Sequence, residues 1–216
     1  MARKRAETRA ATPAPAPAPA PATRLEVRLA GSGGQGLILA GLVLAEAAGL
    51  YEGREVAMAQ SYGPEARGGA SKAEVILSDA AIDYPLCTRV DLLLALTQEA
   101  VEAYAWDLKP SAWVVVDRDL VSHPPTSRAI GLPFTATARE KLGKVMVANV
   151  VALGALSRLP GVVGRRALEK ALLARVPAGT QELNKKALRL GMGLMDAYAA
   201  RAVTAAGGEE PSEEDV

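Results

Sequence analysis

The residues with the clearest chemical potential lie in GSGGQG, positions 31–36. Gly31, Gly33 and Gly36 have the spacing of a dinucleotide-binding fingerprint, in which glycines allow a tight turn and bring backbone N–H groups close to a phosphate. Ser32, Gly34 and Gln35 complete the loop. A helix starting after it would add the positive end of its dipole, which favours an anion. The fingerprint also calls for an acidic residue at the end of the second strand, to hold a ribose hydroxyl. The second strand candidate, Glu55 to Gln60, runs into Ser61, and its acid, Glu55, stands at the wrong end. NAD binding is therefore not expected. A phosphate or other anion, and plain close packing of strand on helix, both stay open.

A second group lies in SYGPEARGG, positions 61–69. Gly63-Pro64 and Gly68-Gly69 are turn signals, so this stretch reads as a loop with little bulk at its ends. Arg67 beside Gly68 and Gly69 offers a planar fork that suits a carboxylate or phosphate. Its alternatives are a local ion pair with Glu65 or a contact with another chain. Asp117 and Asp119, just beyond a strand candidate, are either magnesium ligands or ordinary turn acids. His123 precedes two prolines in a loop and reads as a solvated histidine.

Composition narrows the chemistry further. With one cysteine, Cys87, and one histidine, His123, the chain cannot by itself supply an iron–sulfur ligand set, a Cys/His zinc site or an internal disulfide. The cysteine count fits a reducing cytoplasm. Net charge is +1, so no global field points to nucleic acid or an anionic membrane. Aromatics at 4% argue against a stacking platform for single strands. No apolar run reads as a membrane span, and the beginning lacks the apolar core of a secretory signal.

The elements that must position these residues follow from periodicity. Leu25, Val27 and Leu29 alternate with Glu26 and Arg28, the pattern of a strand with one buried face. Gln35 to Ala48 is apolar on all sides until Glu46, the pattern of a buried helix, with Gly49 as its C-cap. Ser71 to Ser78 alternates into a third strand. Val90 to Leu96 and Ala112 to Val116 are apolar runs of strand length, as in a sheet covered on both faces. Between them Thr97 caps a helix from Gln98 to Leu108, stopped by Lys109-Pro110.

The C-terminal third is helical. Thr137 and Glu140 form a capping-box pattern before a short helix to Leu142. Lys144 to Leu159, Arg165 to Val176, and a last helix capped by Thr180 and running to about Val203 follow. Asn149 sits in an otherwise apolar helix and needs a partner if buried, either neighbouring backbone or a subunit boundary. The whole predicts one α/β domain over residues 24–203, with a well-buried core. It is flanked by an Arg-rich and Ala-Pro arm at 1–23 and an acidic tail at 204–216.

The ordered series GSGGQGLILAGLVLAEAA, QSYGPEARGGASKAEVILSD, IDYP, VDLLLALTQEA and LPFTATAREKLGKVMVANVVALGAL resembles the gamma subunit of the 2-oxoacid:ferredoxin oxidoreductases, most of all the 2-oxoglutarate type. The resemblance covers roughly Leu25 to Tyr198, has SYGPEARGG as its most specific block, and implies a three-layer α/β/α domain with a mixed, mainly parallel sheet. It implies a subunit that works in a complex with alpha and beta chains, and an optional delta chain, passing electrons to ferredoxin. It further implies that thiamine diphosphate and magnesium sit in the partner chains, that iron–sulfur clusters carry the electrons and that coenzyme A takes the acyl group. No residue of this chain is expected to be catalytic or to bind a metal. Gly31 to Gly36 together with Ser61, Tyr62, Arg67, Gly68 and Gly69 form the expected cofactor-facing set. If the first two strands are parallel neighbours, both loops leave the sheet at one edge, toward the catalytic subunits.

Overall fold

The computed structural model describes residues 24–62 and 69–206. Among them a six-stranded sheet runs in the order β2-β3-β1-β4-β5-β6. The strands are β1 Arg24–Ser32, β2 Glu55–Tyr62, β3 Ala70–Ser78, β4 Val90–Ala95, β5 Leu108–Asp117 and β6 Ile130–Leu132. β3 is antiparallel to both β1 and β2, whereas β1, β4, β5 and β6 pair in parallel. The sheet is mixed, as expected. The first two strands are not neighbours, however, because β3 folds back between them.

The helices divide unequally between the two faces. On one face lie α1 (Leu37–Glu46), α3 (Phe134–Leu142), α4 (Ala148–Leu156), α5 (Arg165–Arg175) and α6 (Gln181–Ala206). They close a core over Val27, Leu29, Val75, Leu77, Leu92, Leu94 and Val115. On the other face α2 (Gln98–Tyr104) packs Ala100 and Val101 against Ala30, Leu93, Ala95, Val114 and Val116. This makes three layers. α1 is apolar throughout, and it lies so close to the sheet that a Cβ on Gly41 would come within 2.8 Å of the Ala73 Cβ.

Several local expectations need correction. The face of β1 that carries Glu26 and Arg28 is buried, at 4% and 2% exposure. The charges are closed into pairs instead of solvated: Arg28 Nη2 lies 2.6 Å from Glu74 Oε1 and 2.7 Å from Asp107 Oδ2. Glu26 accepts from the N–H groups of Thr88 and Arg89 in the loop that folds over that face. Alternation alone cannot separate a polar face in water from one satisfied by partners far along the chain.

α1 begins at Leu37, after Gly36 turns the chain at φ +73°. Gly49 lies within a π-helical turn, Ala47–Tyr51, that prolongs the helix, so it is not the cap. α2 stops at Tyr104, and Pro110 falls within β5, where the pairing register with β4 shifts and a missing N–H is tolerated. Thr97 does cap α2, accepting from the Ala100 N–H. α3 begins at Phe134 after Pro133, so Thr137 lies inside it and caps nothing. The single helix expected from Lys144 is a short 3-10 turn, Val145–Val147, followed by α4.

Candidate functional site

The glycine loop leaves the carboxyl end of β1 at the point where the sheet order reverses. From β1 the chain moves first to β2 and β3 on one side and later to β4 on the other. Loops after β1 and β4 therefore diverge around a crevice, the usual place for ligands in such sheets. Gly31 and Ser32 still belong to β1, and Leu96 donates its N–H to the Ala30 C=O across the β1–β4 boundary.

Within the loop the chain satisfies much of its own polarity. Gln35 folds back so that its Oε1 accepts from the Ser32 N–H at 2.8 Å, and the Gln35 N–H returns to the Ser32 C=O. A Cβ on Gly31 would lie 2.3 Å from Gln35 Oε1, so a side chain there would displace the carboxamide from the Ser32 N–H. Gly34, at φ +89°, is exposed with open space around it. The carboxamide of Gln35 thus takes up one of the loop's backbone N–H groups, that of Ser32.

The second loop reaches the same edge by another route than expected. β2 and β1 run in the same direction because each is antiparallel to β3, so their carboxyl ends lie together. Ser32 faces Ala70 and Tyr62 faces Ser71 in the ladders. Ser61 and Tyr62 close β2, while the rest of the block up to Gly68, including Arg67 and Glu65, lies outside the described residues. Gly69 is described, and its C=O accepts from the Gly33 N–H at 3.2 Å. Ser71 Oγ donates to the Gly31 C=O. The two glycine stretches are therefore in direct contact.

Asn149 ties this edge to the helical layer, at 4% exposure. Its Nδ2 donates to the Gly36 C=O at 3.0 Å and its Oδ1 accepts from the Val150 N–H. Gly36 is glycine for two reasons: its positive φ, and an Asn149 Nδ2 that would stand 2.5 Å from a Cβ. Of the two partners expected for Asn149, backbone is the one the fold uses. Beside it a mostly apolar recess of about 200 Å³ is lined by Leu39, Met146, Val150 and Leu183, with Met146 76% exposed.

The remaining chemical candidates have structural duties. Asp117 accepts from the Thr135 N–H and hydroxyl and from the Asp119 N–H; Asp119 accepts from the Ala136 N–H. Both carboxylates secure the first turn of α3, a use of acids that the helix dipole favours. Burial still holds Asp117 above the usual carboxylate pKa despite these donors. Cys87 is pushed up to about 12 by burial and by the Glu74 and Glu26 charges, so it stays a neutral thiol, unsuited to be a nucleophile or metal ligand. The backbone of His123 is held through its N–H and C=O by Gln98, and its ring is exposed. Among the described residues, no group of three or more His, Cys, Asp or Glu stands close enough to hold a metal ion. No described helix is long and apolar enough to cross a membrane.

Comparison with known proteins gives this geometry a family. The pyruvate ferredoxin/flavodoxin oxidoreductase family model matches residues 26–194. The 2-oxoglutarate synthase subunit KorC of Methanocaldococcus jannaschii is 48% identical over 172 residues, which is 78% of this chain and 92% of the relative. KorC of Methanothermobacter marburgensis is 46% identical over 80% of this chain and 97% of the relative. A solved keto/oxoacid ferredoxin oxidoreductase gamma subunit from Geobacter sulfurreducens superposes with a TM-score of 0.74 at 48% identity, covering 81% of this chain and 98% of that one. The 2-oxoglutarate:ferredoxin oxidoreductase of Magnetococcus marinus, solved with 2-oxoglutarate, coenzyme A and succinyl-CoA, superposes at 0.71 with 27% identity. There the match covers 81% of this chain and 31% of a longer one. The fold is thus that of a known subunit type, and this chain belongs to the pyruvate ferredoxin/flavodoxin oxidoreductase family.

Proposed function

We propose that the chain is the gamma subunit of a heteromeric 2-oxoglutarate:ferredoxin oxidoreductase. The complex converts 2-oxoglutarate and coenzyme A to succinyl-CoA and CO2, and two electrons leave for ferredoxin. The observation that carries this reading is similarity to dedicated 2-oxoglutarate synthase subunits at 44–48% identity over 77–80% of this chain. Similarity falls to 37% for a ketoisovalerate subunit and 27% for an indolepyruvate subunit.

On this reading, alpha and beta chains hold thiamine diphosphate and magnesium, and the clusters that feed ferredoxin lie elsewhere in the complex, with a delta chain in a four-chain form. The complex works in the cytoplasm. The donor set described here fits none of those groups, so no step is assigned to them through this chain. Its contribution is a surface. Gly31 to Gly36, with Ser61, Tyr62 and Gly69 beside them, form one edge where another backbone or the phosphates of coenzyme A approach closely. Arg67 supplies positive charge. The contact of Gly33 with Gly69 supports a single edge, and the exposed Met146 beside it supports a buried interface in the complex.

Replacing Arg67 by Ala tests the reading. A partner contact gives normal melting of the chain with weakened assembly. A coenzyme contact gives intact assembly with a KM for coenzyme A raised about tenfold, the scale of one lost charged hydrogen bond. Wild-type assembly and kinetics would remove Arg67 from the site.

A further inference from the structure

The exit of the second loop is gripped by one short helix. Ala70, which follows Gly69, donates its N–H to Glu99 Oε1 at 3.1 Å, and its C=O accepts from the Tyr104 hydroxyl at 3.0 Å. Both side chains come from α2, one from its first turn and one from its last residue. The grip is itself braced. Lys72 Nζ lies 5.5 Å from the Tyr104 ring centroid and 2.9 Å from Glu74 Oε1. The Tyr104 C=O accepts from Arg28 Nη1 at 2.8 Å, and Arg28 is paired with Glu74 and Asp107. α2 is therefore locked to β1 and β3 before it reaches for Ala70. Neither Glu99 nor Tyr104 belongs to the glycine or arginine stretches, and nothing in their own sequence neighbourhood marks them.

We propose that Glu99 and Tyr104 are positioning residues for the start of β3 at Gly69 and Ala70, where the two glycine stretches meet. Holding both backbone groups of Ala70 fixes the direction in which the chain enters β3. That direction sets where the end of the loop, with Gly69 against Gly33, is presented to whatever meets the edge. This rests on the reading of that edge as the face toward coenzyme A and the catalytic subunits.

The test combines Glu99→Ala with Tyr104→Phe, which deletes both contacts while keeping the ring over Lys72. In the full chain, hydrogen–deuterium exchange at residues 69–71 accelerates about tenfold with α4 and α6 unchanged. Glu99→Gln, which keeps an acceptor oxygen, stays near wild type. In the assembled enzyme the double variant raises the KM for coenzyme A about fivefold, with kcat and melting temperature close to wild type. Wild-type exchange at 69–71 overturns the proposal, and so does uniformly faster exchange with a lowered melting temperature. Arg67→Ala run alongside separates the two failures. If Arg67→Ala raises the KM and the double variant does not, the positioning role falls while the edge stands. If the double variant accelerates exchange but both leave assembly and KM unchanged, the reading of the edge falls while the grip on the loop stands.

Discussion

Asn149 shows how much one buried polar side chain can hold. It spans the gap between α4 and the glycine loop, donating to the Gly36 C=O while its own oxygen takes the Val150 N–H. Asn149→Ala removes both bonds and leaves a small void, at a cost of about 2 kcal/mol. Asn149→Asp costs more at neutral pH, because a carboxylate then faces the Gly36 carbonyl. Urea melts of both variants check the order, and a less stable Ala variant would contradict it. Asp117 gives a pH-dependent counterpart. Burial raises its pKa in the folded chain, so the folded state binds the proton more tightly than the unfolded state. Its contribution is then favourable at low pH and is lost as pH rises from about 4 through the raised value. Asp117→Asn flattens that part of the stability profile, and an unchanged slope would contradict the assignment. The sequence flagged Asn149 as needing a partner. It could not flag Glu99 or Tyr104, whose partners are fixed only once the strands are paired.

At the scale of elements, the α4–α6 crossing carries the helical layer. The two helices touch through backbone: a Cβ on Gly154 would lie 2.1 Å from the Leu188 O, and one on Gly191 would lie 1.7 Å from the Val151 O. Gly191→Ala must push the helices apart, at about 3 kcal/mol, the upper end of ordinary overpacking. That corresponds to a melting temperature lower by roughly 10 °C in a chain of this size. Calorimetry decides, and a shift under about 2 °C would show that the crossing has slack. The apolar runs of β4, β5 and α1 were legible in the sequence because burial on both sides leaves no polar residue to interrupt them. The ends of elements were less so. Pro110 reads as a stop locally, yet a register shift in β5 absorbs it. The antiparallel return of β3 between β1 and β2 was not legible either, since pairing order depends on contacts far apart in the chain. The expected shared edge nevertheless survives, because two strands antiparallel to a common neighbour run the same way.

At the scale of the molecule, the chain is a mixed sheet with one thick helical layer and one thin one. Buried Arg28 is paired with Glu74 and Asp107, Asp117 and Asp119 secure the start of α3, and the single cysteine is held neutral. The two glycine stretches meet at one edge through Gly33 and Gly69, and a mostly apolar recess lies near it beside Asn149. In the Magnetococcus marinus enzyme the matching unit is about a third of a longer chain, which agrees with a part built to lie against other protein. The most direct measurement is reconstitution: the chain and its candidate alpha and beta partners, purified separately and together, assayed for viologen reduction with 2-oxoglutarate and coenzyme A. The account predicts no turnover by this chain alone, co-elution with the partners, and full coenzyme A-dependent turnover only when it is present. Robust turnover by the isolated chain, or full activity of the partners without it, would contradict the assignment.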